Sequence, residues 1–86
     1  MVIIYGPKFT RKYKKLADEV KDVAEAHEAL FRLNPFDPRL RTHKLKGRLQ
    51  GLLSFSIGFK YRIIFEFVKN HETVVFHAIG DHDVYQ

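Results

Sequence analysis

Lys60-Tyr61-Arg62-Ile63-Ile64-Phe65-Glu66-Phe67 sets large apolar side chains at every odd position, Tyr61, Ile63, Phe65 and Phe67. Its even positions, Arg62, Ile64 and Glu66, mix charge with an aliphatic. A period of two defines a strand with two unlike faces, one of them dry. The segment before it repeats the division, with Leu53, Phe55 and Ile57 alternating against Ser54 and Ser56 and with Gly58 at the turn. Asn70-His71 marks a second turn, and Thr73-Val74-Val75-Phe76-His77-Ala78-Ile79 reads as a third strand. If the aromatic face is the core, Ser54, Ser56 and Arg62 share an opposite, wetter face, where a functional site is expected.

Upstream, Val2 to Tyr5 is a short strand closed by Gly6-Pro7, and it is expected to join the same sheet. Phe9, Tyr13, Leu16 and Ala17 then recur at helical spacing. Val20, Val23, Ala24, His27, Leu30 and Phe31 continue the stripe. Asp18-Glu19 predicts a break there, with Asp as the cap and Glu in the first turn, so the segment reads as a helical hairpin. His27 lies in phase with the apolar stripe and reads as a half-buried packing residue. Two prolines in Asn34-Pro35-Phe36-Asp37-Pro38 end the helix. The segment from Arg39 to Arg48 reads as a basic loop tacked to the core by Leu40 and Leu45. The expected fold is α+β over residues 1–86, a single domain: a strand, two helices, then a three-stranded antiparallel meander with the helices on one face.

At 86 residues the chain buries roughly 60–65% of its unfolded surface. Eight Phe and four Tyr supply a core, which excludes a disordered or fibrous chain. The absence of Cys excludes disulfides and thiolate metal sites and fits a reducing cytoplasm. With no long apolar run and no signal-like start, a soluble, unprocessed protein away from the membrane is expected. Fifteen Lys and Arg face ten Asp and Glu, and their distribution is uneven. Lys8, Arg11, Lys12, Lys14 and Lys15 form one basic run, and Arg39, Arg41, Lys44, Lys46 and Arg48 form another, both without an acid. Five acids and one Lys fill Asp18 to Glu28 between them. Segregation of this kind favours a polyanionic partner, nucleic acid foremost.

Several chemistry-bearing residues then converge: His43, Lys44 and Lys46 from the loop, Arg62 from the strand, and His82 and Tyr85 from the tail. RNA cleavage by the neighbouring 2'-hydroxyl needs a base, cations for the phosphorane oxygens and an acid for the leaving 5'-oxygen, with no metal or other cofactor. Histidine suits the acid and base roles because it titrates near neutral pH. Arginine suits the charge-stabilising role because its planar paired donors stay protonated. Tyrosine stacks on a base or donates through its hydroxyl. A structural alternative stands beside each: Arg62 paired with Glu66, His82 idle between Asp81 and Asp83, Tyr85 packed on the sheet edge. The spacing of His71, His77 and His82 does not suit a metal site.

Asp37-Pro38-Arg39-Leu40, His43-Lys44-Leu45-Lys46-Gly47, Tyr61-Arg62-Ile63-Ile64-Phe65 and Gly80-Asp81-His82-Asp83-Val84-Tyr85 together resemble the RelE/ParE toxin superfamily of toxin–antitoxin systems, most closely its RelE and YafQ branch. The resemblance implies a toxin that cuts mRNA in the ribosomal A site and is held inactive by a cognate antitoxin, so its partners are that antitoxin, the ribosome and mRNA. It implies that Arg62 meets the scissile phosphate, that His43 and His82 are the acid–base pair, and that Tyr85 orients or stacks on a base. Lys44, Lys46, Arg48 and Arg41 are the expected RNA- and phosphate-binding cations. The chain departs from the pattern at Ser54 and Ser56, where relatives carry lysines or a histidine, and at Ala78, where some carry arginine. Its tail is one residue shorter. The rival readings are a ParE-like contact inhibitor of DNA gyrase and a catalytically inactive RNA-binding relative.

Overall fold

Phe31 decides how the helices meet the sheet. It is the last aromatic of the apolar stripe, fully buried, and it stacks on Phe55 with ring centroids 4.8 Å apart. It also meets Phe65 and Phe76 edge-on at 4.9 and 5.5 Å. One helical side chain thereby touches three successive strands. The computed structural model describes residues 1–85, apart from the side chains of His82 and Asp83.

The elements run β1 (Val2–Tyr5), α1 (Pro7–Lys14), α2 (Asp18–Leu33), β2 (His43–Lys44), β3 (Leu53–Ile57), β4 (Tyr61–Val68) and β5 (Thr73–Gly80). Single 3-10 turns occupy Pro38–Leu40, Gly47–Leu49 and His82–Tyr85. The sheet order is β1-β5-β4-β3-β2, with β1 parallel to β5 and the other neighbours antiparallel. The expected helices-on-sheet α+β fold is therefore present, with β1 in the sheet as anticipated. A fifth strand was not anticipated. The segment read as a loop lays His43 and Lys44 against Ser54 and Leu53, and two residues are too few to display a period.

Gly6 and Pro7 make the tight passage from β1 into α1. Proline at the first helical position has its φ pre-set and forgoes an amide that the helix leaves free anyway. A Cβ at Gly6 would stand 3.1 Å from the Phe76 carbonyl oxygen, the same oxygen that accepts the Gly6 amide at 2.9 Å. Two separate helices follow, but the break differs from the expected one. Ala17 caps α2 without a side-chain hydrogen bond, and both Asp18 and Glu19 lie in its first turn, where their charge favours the helix dipole. His27 is half-buried, as expected, and its Nδ1 donates to the Ser56 carbonyl at 2.9 Å, tying α2 to β3. At the other edge the Tyr5 hydroxyl donates to Glu28 at 2.6 Å, and burial together with that carboxylate holds the phenol above its ordinary pKa.

Asn34 ends α2 as the two prolines require. The Asp37 carboxylate pairs with the Arg39 guanidinium at 2.7 Å and accepts the Arg39 amide, which together lower its pKa to about 2. Leu40 drops fully into the core behind this turn and Leu45 is half-buried, so both tack the segment down as expected.

A bulge in β5 sets the parity of the sheet. Phe65 pairs with Phe76 and Ile64 pairs with Ala78, so His77 is the extra residue between them. Simple alternation would have put Val74, Phe76 and Ala78 on one face. The bulge instead returns Ile79 to the core opposite Ile63 and turns Ala78 to the far side. Because Phe31 joins the helix to three strands, Phe31→Ala is expected to lower stability by about 3–5 kcal/mol, a large share of a small domain's total. Urea denaturation followed by circular dichroism checks this, with an early midpoint and a broadly preserved slope as the expected result.

Candidate functional site

On the face away from the helices, strand pairing builds two rows of side chains. His43, Ser54, Ile64 and Ala78 are consecutive partners across β2, β3, β4 and β5. Ser56, Arg62 and Gly80 form the next row. The register thus sets His43 on the same face as Arg62, two strands across and two residues along, with Cα atoms about 12 Å apart by ordinary sheet spacings.

This face is not the open, wet surface that the sequence suggested. Ser54 is 0% exposed and Ser56 only 6%. At Ser54 the reason is the tail, which folds back onto the sheet. The Tyr85 hydroxyl hydrogen-bonds Ser54 Oγ at 3.1 Å, and its carbonyl accepts Arg48 Nη2 at 3.3 Å from the turn beyond β2. Tyr85 therefore packs on the sheet face, not its edge. Pro7, Lys8, Leu49, Ile64, Ala78 and Val84 line a cleft of about 340 Å³ beside the tail.

Arg62 does not pair with Glu66. Its Nη1 donates to the carbonyls of Tyr61 at 3.0 Å and Phe59 at 3.4 Å, so the guanidinium is braced at the end of the β3–β4 hairpin. Glu66 pairs instead with His77 at 3.0 Å. His43 is exposed, and its Nδ1 lies 3.1 Å from the Arg41 carbonyl. A carbonyl only accepts, so Nδ1 carries a proton in this contact, and Nε2 is the ring nitrogen left to give or take one. Arg41, whose carbonyl makes this contact, holds a left-handed φ of 54°. Such a conformation in a residue other than glycine is kept only where surrounding contacts enforce it.

The remaining cations divide. Arg48 reaches the tail, as above. Lys44 partners Leu53 and so takes the opposite parity from His43. Together with Lys46 it lines a different cleft, around Gly47 and Gly51. Beside the tail the positive charge comes from α1 and its C-cap: Lys8, Arg11, Lys12 and the capping Lys15 line a cleft of about 250 Å³ with Ala78 and Val84. The sequence showed this basic run but not its place, which follows from the parallel pairing of β1 with β5. The backbone of His82 lies in the turn just after Gly80, the partner of Arg62, while its side chain lies outside the described residues. Among the described residues, no three of His, Cys, Asp or Glu cluster as metal ligands. No described helix is long and apolar enough to cross a membrane.

Tyr85→Phe leaves the buried Ser54 hydroxyl without its partner and is expected to cost about 1–3 kcal/mol. Ser54→Ala in the same chain should recover most of that loss, and a double-mutant cycle on unfolding free energies measures the coupling.

The sequence profile of a family described as the ParE toxin of type II toxin-antitoxin system, parDE, matches residues 3–84. No curated protein sequence matches the chain. Among solved structures, a YoeB/ParE toxin from Agrobacterium tumefaciens superposes with a TM-score of 0.81 at 14% identity, covering 95% of this chain and 99% of that one. YafQ from E. coli strain BL21(DE3) gives 0.76 at 18% identity, covering 96% and 94%. The RelBE2 toxin-antitoxin complex from Mycobacterium tuberculosis gives 0.65 at 22% identity, covering 94% and 96%. At these identities the likeness is one of fold, while the profile spans nearly the whole sequence. The chain belongs to the ParE toxin family of type II toxin-antitoxin systems, within the RelE/ParE superfamily.

Proposed function

We propose that this toxin is an endoribonuclease that cuts mRNA in the ribosomal A site. The observation that carries the reading is the shared sheet face of His43 and Arg62, with His43 Nδ1 engaged by the Arg41 carbonyl and Nε2 left for chemistry. In the proposed step a histidine takes the proton of the ribose 2'-hydroxyl. The 2'-oxygen attacks the adjacent phosphorus, Arg62 stabilises the phosphorane oxygens, and an acid protonates the departing 5'-oxygen. The products are a 2',3'-cyclic phosphate and a free 5'-hydroxyl, and the step needs no metal. His43 and His82 are the acid–base pair, in an order left to experiment. Tyr85, beside His43 through Ser54, orients or stacks on a base. Arg41 and Arg48, with the α1 cations, carry phosphate contacts around the pocket, and Lys44 and Lys46, in their separate cleft, carry contacts to ribosomal RNA outside it. The toxin acts in the cytoplasm, and a cognate antitoxin with an acidic helix or strand covers the basic face in the resting complex.

A second reading has its own support. The matched family is described by the ParE toxin, and the strand positions Ser54 and Ser56 are buried serines, not cations. On that reading the chain inhibits DNA gyrase by contact and needs no acid–base pair.

Inducible expression of the wild type, Arg62→Ala and His43→Gln in a bacterium, with mRNA 5' ends mapped by primer extension, separates the two. The nuclease reading expects growth arrest with cuts inside translated codons. Cutting should fall roughly 10²- to 10³-fold in Arg62→Ala and roughly 10²- to 10⁴-fold in His43→Gln. Arrest with an intact message transfers the assignment to gyrase, and an absence of arrest indicates an inactive relative. Ribosome binding should also weaken with salt. Replacing Arg11 and Lys12 with Gln should reduce the slope of log affinity against log salt by about 0.7–0.9 for each phosphate that the variant no longer neutralises, as measured by sedimentation at several ionic strengths.

A further inference from the structure

Phe59 stands at the tip of the β3–β4 hairpin and is 96% exposed, the most exposed of the large hydrophobic side chains described. Its place is built, not incidental. Gly58, at φ +66°, turns the chain so that Phe59 heads the hairpin, and Ile57 pairs with Tyr61 directly below to close it. The Phe59 backbone carbonyl accepts a hydrogen bond from Arg62 Nη1 at 3.4 Å, which ties the guanidinium assigned to the phosphate to the backbone of the loop that carries the exposed ring. Lys60 follows at once, with Nζ 5.8 Å from the centre of the Tyr61 ring.

A bare aromatic with a cation beside it and a braced arginine beneath is the composition that single-stranded nucleic acid selects: the cations take backbone phosphates and the ring takes a base face. A protein-docking surface would centre on a wider apolar patch. Here Val23, packed beneath Gly58 on α2, is 39% exposed, a single aliphatic side chain and not a wide patch. We infer that Phe59 is a base-stacking residue, holding the nucleotide next to the phosphate at Arg62 and thereby setting where along the message the cut falls. The inference rests on the nuclease reading above and adds a positioning residue to it. Tyr85 is fixed over Ser54 in the interior of the face, whereas Phe59 rises from the sheet's end, so the two rings serve different nucleotides.

The chain has no Trp, so Phe59→Trp installs the chain's sole tryptophan, read as the difference from ribosomes with the wild-type toxin. The test uses ribosomes programmed with a message that carries 2'-deoxy nucleotides throughout the A-site codon, which removes the nucleophile and preserves the complex. Tryptophan emission is expected to be quenched on these ribosomes and not on ribosomes whose message ends before the A site. With cleavable message, Phe59→Ala and Phe59→Leu should both lose roughly 5- to 150-fold in cutting at sub-saturating toxin. Phe59→Tyr and Phe59→Trp should stay near wild type, and all four should unfold at the wild-type temperature. Leucine substituting fully for phenylalanine would overturn the inference in favour of an apolar protein pocket. Quenching that persists with an empty A site would assign the ring to the ribosome itself. If the wild type binds and cuts and no Phe59 variant differs, this inference alone fails. If the wild type neither binds ribosomes nor cuts message, the nuclease reading fails and takes the inference with it.

Discussion

The stacking of Phe31 on Phe55, with Phe65 and Phe76 edge-on around it, is the contact on which the rest of the molecule depends. Helix α2 is acidic and exposed along much of its length, and its buried residues are Ala24 and Phe31. Its place over the sheet is fixed by that one ring, by partly buried Val20 and Leu30, and by the His27 bond to Ser56. Aromatic pairs in offset and edge-on geometry add to the burial of their area, and burial is the dominant favourable term in a domain this small. With α2 seated, the Asn34-Pro35 turn and the buried Leu40 deliver the chain to the sheet edge where β2 forms.

The second constraint is the bulge at His77. A regular β5 would place Ala78 in the core and Ile79 outside. The extra residue inverts that order for the last turn of the strand, so one strand serves the hydrophobic core at both ends and still presents Ala78 and Gly80 to the working face. Small residues there leave room for the tail to lie over Ile64 and for Arg62 to stand without a side chain opposite it. The geometry of the candidate site is in this sense a product of backbone parity as much as of side-chain chemistry.

Much of the architecture was legible in the chain because alternation and helical spacing are local properties. Four strands, two helices, the proline stop after Leu33 and the packing role of His27 could all be read from neighbouring residues. What escaped the reading depends on distant ones. Two residues of β2 carry no period, and only their pairing with Ser54 and Leu53 makes them a strand. Ser54 and Ser56 look solvent-facing by pattern, yet both are buried, and over Ser54 lies the hydroxyl of Tyr85, some thirty residues on. The α1 cations were visible as a run, but their position beside Val84 follows from a parallel pairing that no local signal announces. The cap of α2 was misplaced by one residue because Ala17 takes the capping backbone conformation without any side-chain bond to mark it. Asp37 and Arg39, by contrast, lie two residues apart, and their pairing within the proline turn is a local contact.

The two faces of the sheet share strands but almost no side chains. Phe31, Phe55, Phe65 and Phe76 stabilise one side, and His43, Arg62 and Tyr85 occupy the other. On the nuclease reading, a lineage carrying such a gene would silence the poison by a single substitution on the working side while the fold that a neutralising partner meets survives intact. Disarmed copies would still fold, still occupy that partner, and by titrating it away alter the dose at which an armed copy becomes dangerous.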